Sequence, residues 1–120
     1  MSERETDAEV VRLLGWTKRR RTGTLMFHTD AEAAQPSHLE YCWEFVRPDG
    51  NVSPLPHYTT DPAAALTILD QWQGDALLRR QNGQWKCELF KPSRQWDAWA
   101  VTCPLAIVTA ALLALEDRKP

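Results

Sequence analysis

An α+β domain, with three helices covering a mainly antiparallel sheet of four to five strands, is what this sequence predicts. Three observations carry that expectation. The stretch Leu55–Trp72 turns abruptly from proline-punctuated chain into a capped amphipathic helix. Runs that alternate apolar and polar side chains flank it on both sides. Asn82-Gly83 sits between two such runs and is the best hairpin turn signal in the chain. At 120 residues the chain has the length of one domain, so residues 1–120 are expected to form one, with a variable loop or hairpin at 22–38.

Taken in order, residues 2–14 read as the first helix. Ser2 with Glu5, and Thr6 with Glu9, have capping-box spacing, and Glu3, Glu5, Asp7 and Glu9 suit the positive end of the helix dipole. Val10, Leu13 and Leu14 make a narrow apolar stripe, and Gly15 ends the helix. Residues 16–21 form a candidate extra strand whose cationic end faces water. Residues 22–38 mix Gly, Thr, Asp, Ala, Gln, Pro and Ser around one apolar patch, Leu25-Met26-Phe27.

Residues 39–46 read as a strand, because Leu39, Tyr41, Trp43 and Phe45 alternate with Glu40, Cys42 and Glu44. Arg47-Pro48-Asp49-Gly50-Asn51 supplies turn chemistry. The central helix, 61–73, opens with Asp61 as N-cap and Pro62 at the first helical position. Ala65, Leu66, Leu69 and Trp72 recur on one face, and Gly74 stops it. Strands follow at 76–81, 85–91 and 96–102, joined by Asn82-Gly83 and by Pro92-Ser93-Arg94-Gln95. The last helix, 104–117, has no charge from Leu105 to Leu115. Ala98–Leu115 is eighteen uncharged residues. Its internal Pro104, its period-two beginning and a length short of the about 20 residues a span needs speak for burial rather than a membrane. A helix apolar all round calls for burial on more than one side, which leads to an expectation of self-association.

Composition narrows the function classes. A formal net charge of -2 excludes bulk cationic attraction to nucleic acid, yet the charge is uneven. Residues 1–9 carry four acids and one arginine, whereas 16–29 carry Lys18, Arg19, Arg20 and Arg21 and no acid. Residues 76–96 hold Arg79, Arg80, Lys86, Lys91 and Arg94 against Glu88 alone. Cys42, Cys87 and Cys103 lack any CxxC pair, which fits buried thiols in a reducing compartment. The acidic N-terminus has no apolar signal segment, so a cytoplasmic location is expected.

With the elements placed, the chain resembles the phage ABA-sandwich domain family of small phage and prophage proteins. Leu14-Gly15-Trp16, Pro56-His57-Tyr58-Thr59-Thr60-Asp61 with Ala64-Ala65, the Trp85 strand, and Cys103-Pro104-Leu105-Ala106-Ile107 running into Ala110-Ala111-Leu112 carry the resemblance. It covers the chain outside 22–38 and rests on the order and spacing of these segments. It implies α/β/α layers and a phage origin, and it brings no established activity.

Catalytic chemistry has no positive support. His28, His38 and His57 stand in no metal-ligand spacing, the cysteines have no adjacent base, and no glycine-rich phosphate loop is present. Glu40 and Glu44 share one side of a strand with Cys42 and read as a solvated face. No cofactor and no metal are expected. Amides at the start of the central helix would attract an anion, but Asp61 occupies them, which leaves Tyr58 as a packed residue or a contact. The expected contact residues are Lys18, Arg19, Arg20, Arg21, Arg79, Arg80 and Tyr58. The expected function is that of a phage-derived, non-enzymatic interaction protein that inhibits a host defence protein. The alternative is a small-molecule or nucleotide sequestering protein, with nucleic acid as a further partner class.

Overall fold

The computed structural model describes residues 2–21 and 39–117, so the loop or hairpin expected at 22–38 lies outside the described residues. The chain divides into two compact units, 1–56 and 57–120.

In the first unit, α1 (Glu3–Leu13) begins with a capping box. The Ser2 hydroxyl accepts from the Glu5 N–H at 3.1 Å, and the Glu5 carboxylate accepts from the Ser2 N–H at 3.0 Å. These bonds favour the carboxylate, so the Glu5 carboxyl is held below its ordinary range, the Ser2 backbone amide having the larger effect. The helix buries Val10, Val11 and, less expectedly, Asp7. Burying that acid requires a partner, and Arg4 supplies it one turn earlier, Nη1 to Oδ2 at 2.7 Å. Arg4 also donates to the carbonyls of Leu55 at 2.7 Å and Pro56 at 3.1 Å and pairs with Glu40, so one side chain ties α1 to the end of the unit.

Gly15, at φ +96°, makes the left-handed turn out of α1 that a side chain would strain. Then β1 (Thr17–Arg20) pairs antiparallel with β2 (Trp43–Val46), and β2 pairs with β3 (Val52–Ser53). The candidate strand at 16–21 is thus present as β1. The strand expected over 39–46 is shorter: Leu39–Cys42 is a turn of helix, α2, and only Trp43–Val46 is extended. Alternation had placed Cys42 and Glu40 together on a solvated face. The helical turn instead rotates Cys42 to complete burial, while Glu40 reaches Arg4. Arg21 holds the turn, its Nε donating to the carbonyls of Glu40 at 3.0 Å and Trp43 at 3.2 Å.

The second unit holds α3 (Pro62–Gln71), β4 (Ala76–Gln81), β5 (Gln84–Lys91), β6 (Arg94–Ala100) and α4 (Cys103–Glu116). Asp61 caps α3 as its sequence predicts, Oδ1 accepting from the Ala63 N–H at 3.0 Å. The buried stripe of α3 is Ala65 and Ile68 rather than one that includes Leu66, which is 45% exposed. Trp72 leaves the helix with extended backbone, ψ 126°, and sets its ring edge-on to Trp96 at 5.8 Å.

Strands β4, β5 and β6 form an antiparallel meander in that order, turned first through Asn82-Gly83. Among the described residues the single sheet of four to five strands is therefore corrected to two three-stranded antiparallel sheets, β1-β2-β3 and β4-β5-β6. Sequence alternation marks each strand but contains no information on which strands pair across the chain, and the two residues of β3 are too few to alternate. The α+β class stands, with three longer helices and the single turn of α2 among the described residues.

In this unit α4 packs on β5 and β6, and α3 packs on α4. Leu89, Cys87 and Ala98 face a helix whose Ala106, Ile107, Val108, Ala110, Ala111 and Ala114 are buried. The alanines allow close approach, and Ile107, Val108 and Leu89 each contribute about 1.5–3 kcal/mol by leaving water. Burial of α4 on more than one side, as its uncharged run predicts, is thus what the second unit shows. Its own chain covers most of the helix, leaving a stripe that contains Leu105 and Leu113, 37% and 48% exposed.

Candidate functional site

In β1 the four cations of the basic run do not stay together, because successive strand side chains point to opposite faces. Register places Arg20 across from Trp43, Lys18 across from Phe45, and Arg19 across from Glu44. Lys18 and Arg20 therefore share one face with Trp43. The Lys18 ammonium lies 4.6 Å and the Arg20 guanidinium 5.3 Å from the centre of the indole ring, where the electron-rich ring face attracts positive charge. Arg19 takes the other face, its Nε 2.7 Å from Glu44. Arg21 lies beyond the strand on the carbonyls of α2 and β2.

Two hollows of the first unit adjoin this patch. One, of about 260 Å³, is lined by Glu5, Glu9, Arg12, Trp16, Lys18 and Phe45, and the other, of about 280 Å³, by Arg21, Glu40, Trp43, Phe45 and Leu55 among others. Both mix charges: Arg12 pairs with Glu9 in the first, and Arg21 and Glu40 both line the second. Neither concentrates positive charge in the manner of a phosphate pocket.

The second basic segment behaves differently. Arg79 and Lys86 share one sheet face and converge on Glu88, at 3.4 Å and 2.8 Å. The hydrogen bond from Lys86 is the main reason the Glu88 carboxyl is held below the ordinary glutamate range, with the charges of Lys86 and Arg79 adding to it. Lys86 also lies 3.6 Å from Asp97 and 5.2 Å from the Trp99 ring centre. Lys91 lies over Trp72 and donates to the Gln73 carbonyl, and Arg94 pairs with Asp117 and lies over Trp96. Arg80 is exposed on the other face and enters no ion pair among the described residues. Tyr58 is 3% exposed, so it presents almost no surface to a partner.

Burial pushes the Cys87 thiol up to about 11 and raises that of Cys103 as well, so both stay protonated and weakly nucleophilic at neutral pH. Cys42 is fully buried. Among the described residues no group of three or more His, Cys, Asp or Glu could hold a metal ion, and His28 and His38 lie outside them. No helix among the described residues is long and apolar enough to cross a membrane.

Trp43 is the residue of this patch that sequence reading left out. It was legible as an inward strand residue of 39–46, but the cations that cover it come from a strand 25 positions away, since Lys18 and Trp43 differ by that many. The recurrence of tryptophan beside cation-rich segments was the available signal. Trp16 with Arg47, at 5.4 Å, is a further instance in the same unit.

No protein-family model matches the chain, and no curated protein matches it. Among solved structures it is similar to a phage protein from Bacillus cereus ATCC 14579, known from a 2.0 Å crystal structure. The two are 15% identical, the match covers 100% of this chain and 92% of that chain, and the TM-score is 0.67. At that identity the likeness establishes a shared fold, over the full length of this chain.

Proposed function

We propose that this is a phage-derived protein of the ABA-sandwich type that works in the host cytoplasm by binding, not by turnover. Its target is an acidic surface on a host protein, which it blocks. The observation that carries this reading is the patch on β1 and β2, where Lys18 and Arg20 lie over Trp43 on one face. Arginine and tryptophan are enriched at the energetic centres of protein interfaces, and here Arg20 and Trp43 are half-buried beside the exposed Lys18. Cations fixed over a ring lose less freedom on binding than unconstrained ones. The fold shared with a phage protein supports the origin, and the raised thiols of Cys87 and Cys103 speak against a cysteine nucleophile.

The patch suits an acidic protein better than nucleic acid. Its ring is already covered by cations and so is poorly placed to stack on a base, and the chain as a whole carries -2. The nucleotide reading finds less support in hollows of about 260 and 280 Å³ whose walls include Glu5, Glu9 and Glu40.

Capture of proteins from a bacterial host lysate on the immobilised chain tests the reading. A Lys18→Glu/Arg20→Glu variant, shown by circular dichroism to be folded, should lose the captured protein, and raising salt should release it from the parent. Equal capture by parent and variant at all salt concentrations would place the contact elsewhere. Steady product formation by the purified protein would overturn the binding role.

A further inference from the structure

We propose that β4 pairs edge to edge with β4 of a second copy of this chain, with Leu77 on the two-fold axis. The β4-β5-β6 sheets of the two copies then become one continuous sheet of six strands. The inference does not depend on the patch at Trp43.

Strand β4 is the edge of its sheet, and its register against β5 runs unbroken from Ala76 to Gln81, with no bulge and no proline. Ala76, Leu77, Arg79, Arg80 and Gln81 are all exposed, Leu77 to 46%. An open edge this long and regular is a ready template for another strand. The Phe90 N–H donates to the Asp75 carbonyl at 2.9 Å, which fixes the phase of the ladder. Odd-numbered residues of β4 direct their backbone groups toward β5, and Ala76, Leu78 and Arg80 direct theirs out of the sheet. Among the described residues those outward groups take no hydrogen bond.

Charge selects the partner and the register. Asp75 and Arg79 stand symmetrically about Leu77. An antiparallel pairing centred on Leu77 sets Arg79 across from Asp75 of the second copy, and the reverse, so two ion pairs form. It also sets Leu77 against Leu77 of the second copy and lets Ala76 and Leu78 exchange backbone hydrogen bonds with Leu78 and Ala76 there. Moving the centre to Leu78 puts Leu77 against an arginine, and moving it to Arg79 puts Arg79 against itself.

The edges at β1 and β6 do not offer this symmetry. In β1 the residues Lys18, Arg19 and Arg20 would repel their own copies. In β6, Arg94 and Asp97 are three apart and so lie on opposite faces, and no register brings them together. Arg79 remains free to serve both carboxylates, because its contact with Glu88 is long, 3.4 Å, and its side chain is 48% exposed. Two paired strands bury less than the roughly 1,200–2,000 Å² of a standard interface, so the association is weak and concentration-dependent.

Disulfide trapping and sedimentation test the proposal. Residues opposed on the axis form a non-hydrogen-bonded pair with Cα atoms about 4.5 Å apart, within disulfide reach. In a Cys103→Ser background, Leu77→Cys should yield a covalent dimer on mild oxidation. Gln81→Cys should not, because its two copies would lie roughly 27 Å apart at about 3.4 Å per residue. The parent chain should show a rising weight-average mass in sedimentation equilibrium. Leu77→Lys, at an exposed position that leaves the β4–β5 ladder intact, should weaken the dimer at least about tenfold. A constant mass of 13.7 kDa up to millimolar concentration would overturn the proposal. So would equal cross-linking of the two cysteine variants, or dimerisation of Leu77→Lys at parental strength.

Discussion

Replacing Arg4 by methionine keeps the aliphatic bulk of the side chain and removes the guanidinium that neutralises Asp7. The Asp7 carboxylate has a relative exposure of 1%, and Arg4 is its ion-pair partner at 2.7 Å. Removing one member of a buried pair costs about 3–5 kcal/mol, because the remaining charge is left in a medium that solvates it poorly. Arg4 is 24% exposed and Asp7 has further interactions, which moves the expectation to the lower end. The Leu55 and Pro56 carbonyls also lose their donor, at 2.7 and 3.1 Å, and those losses are not independent of the first. A net loss of about 3 kcal/mol follows, out of a total of about 5–15 kcal/mol for a chain of this kind. For 120 residues this is a fall in Tm of about 10 °C. Urea unfolding gives the free energy directly, and the Asp7→Asn single variant with the Arg4→Met/Asp7→Asn double variant completes a cycle. The double variant should recover part of the loss, since the neutral amide no longer needs a counter-charge. A loss under 1 kcal/mol for Arg4→Met, or no recovery in the double variant, would refute the argument that this pair organises the first unit.

Other outcomes follow from single contacts. Asp61→Ala removes the side-chain acceptor of the Ala63 N–H and should cost about 0.5–2 kcal/mol, read as a lower Tm, while Asp61→Asn should be nearly neutral. Gly74→Ala should destabilise by at least about 1–3 kcal/mol, because its Cβ would fall 2.2 Å from the Phe90 carbonyl oxygen, a backbone atom of the strand residue whose N–H bonds the Asp75 carbonyl; a parental Tm would show that this approach relaxes freely. Glu88 has a lowered pKa in the folded chain, so the folded state binds fewer protons than the unfolded state between the lowered value and the ordinary 4.5. Its stabilisation is therefore full above that range and disappears as pH falls through the folded value. Melting temperatures of Glu88→Gln should depend less on pH than those of the parent below about pH 4.5, and parallel curves would remove Glu88 from the account.

Local chemistry was enough to place what depends on neighbours in sequence. Ser2 with Glu5, Asp61 with Pro62, and Asn82-Gly83 act within four residues of themselves, and the starts of α1 and α3 and the β4–β5 hairpin lie where those residues put them. The strand at 76–81 was legible to the residue, because a turn and a helix stop bracket it. Elements set by distant partners were not legible. Leu39–Cys42 has the alternation of a strand and forms a helical turn because Arg21 and Arg4 hold its carbonyl and carboxylate from elsewhere in the chain.

The candidate site divides in the same way. Sequence alone identified Lys18, Arg19, Arg20 and Arg21 as a concentration of charge, since composition needs no structure. Which of them act together was decided by the register of β1 against β2, which sends Lys18 and Arg20 to Trp43 and Arg19 to Glu44. Arg79 was visible as a cation, but its engagement with Glu88 and the open edge beside it exist only once β4 has paired with β5 on one side alone. A strand's pattern states which side chains share a face, whereas the identity of the facing strand is fixed by the free energy of the whole packed arrangement, to which every distant segment contributes.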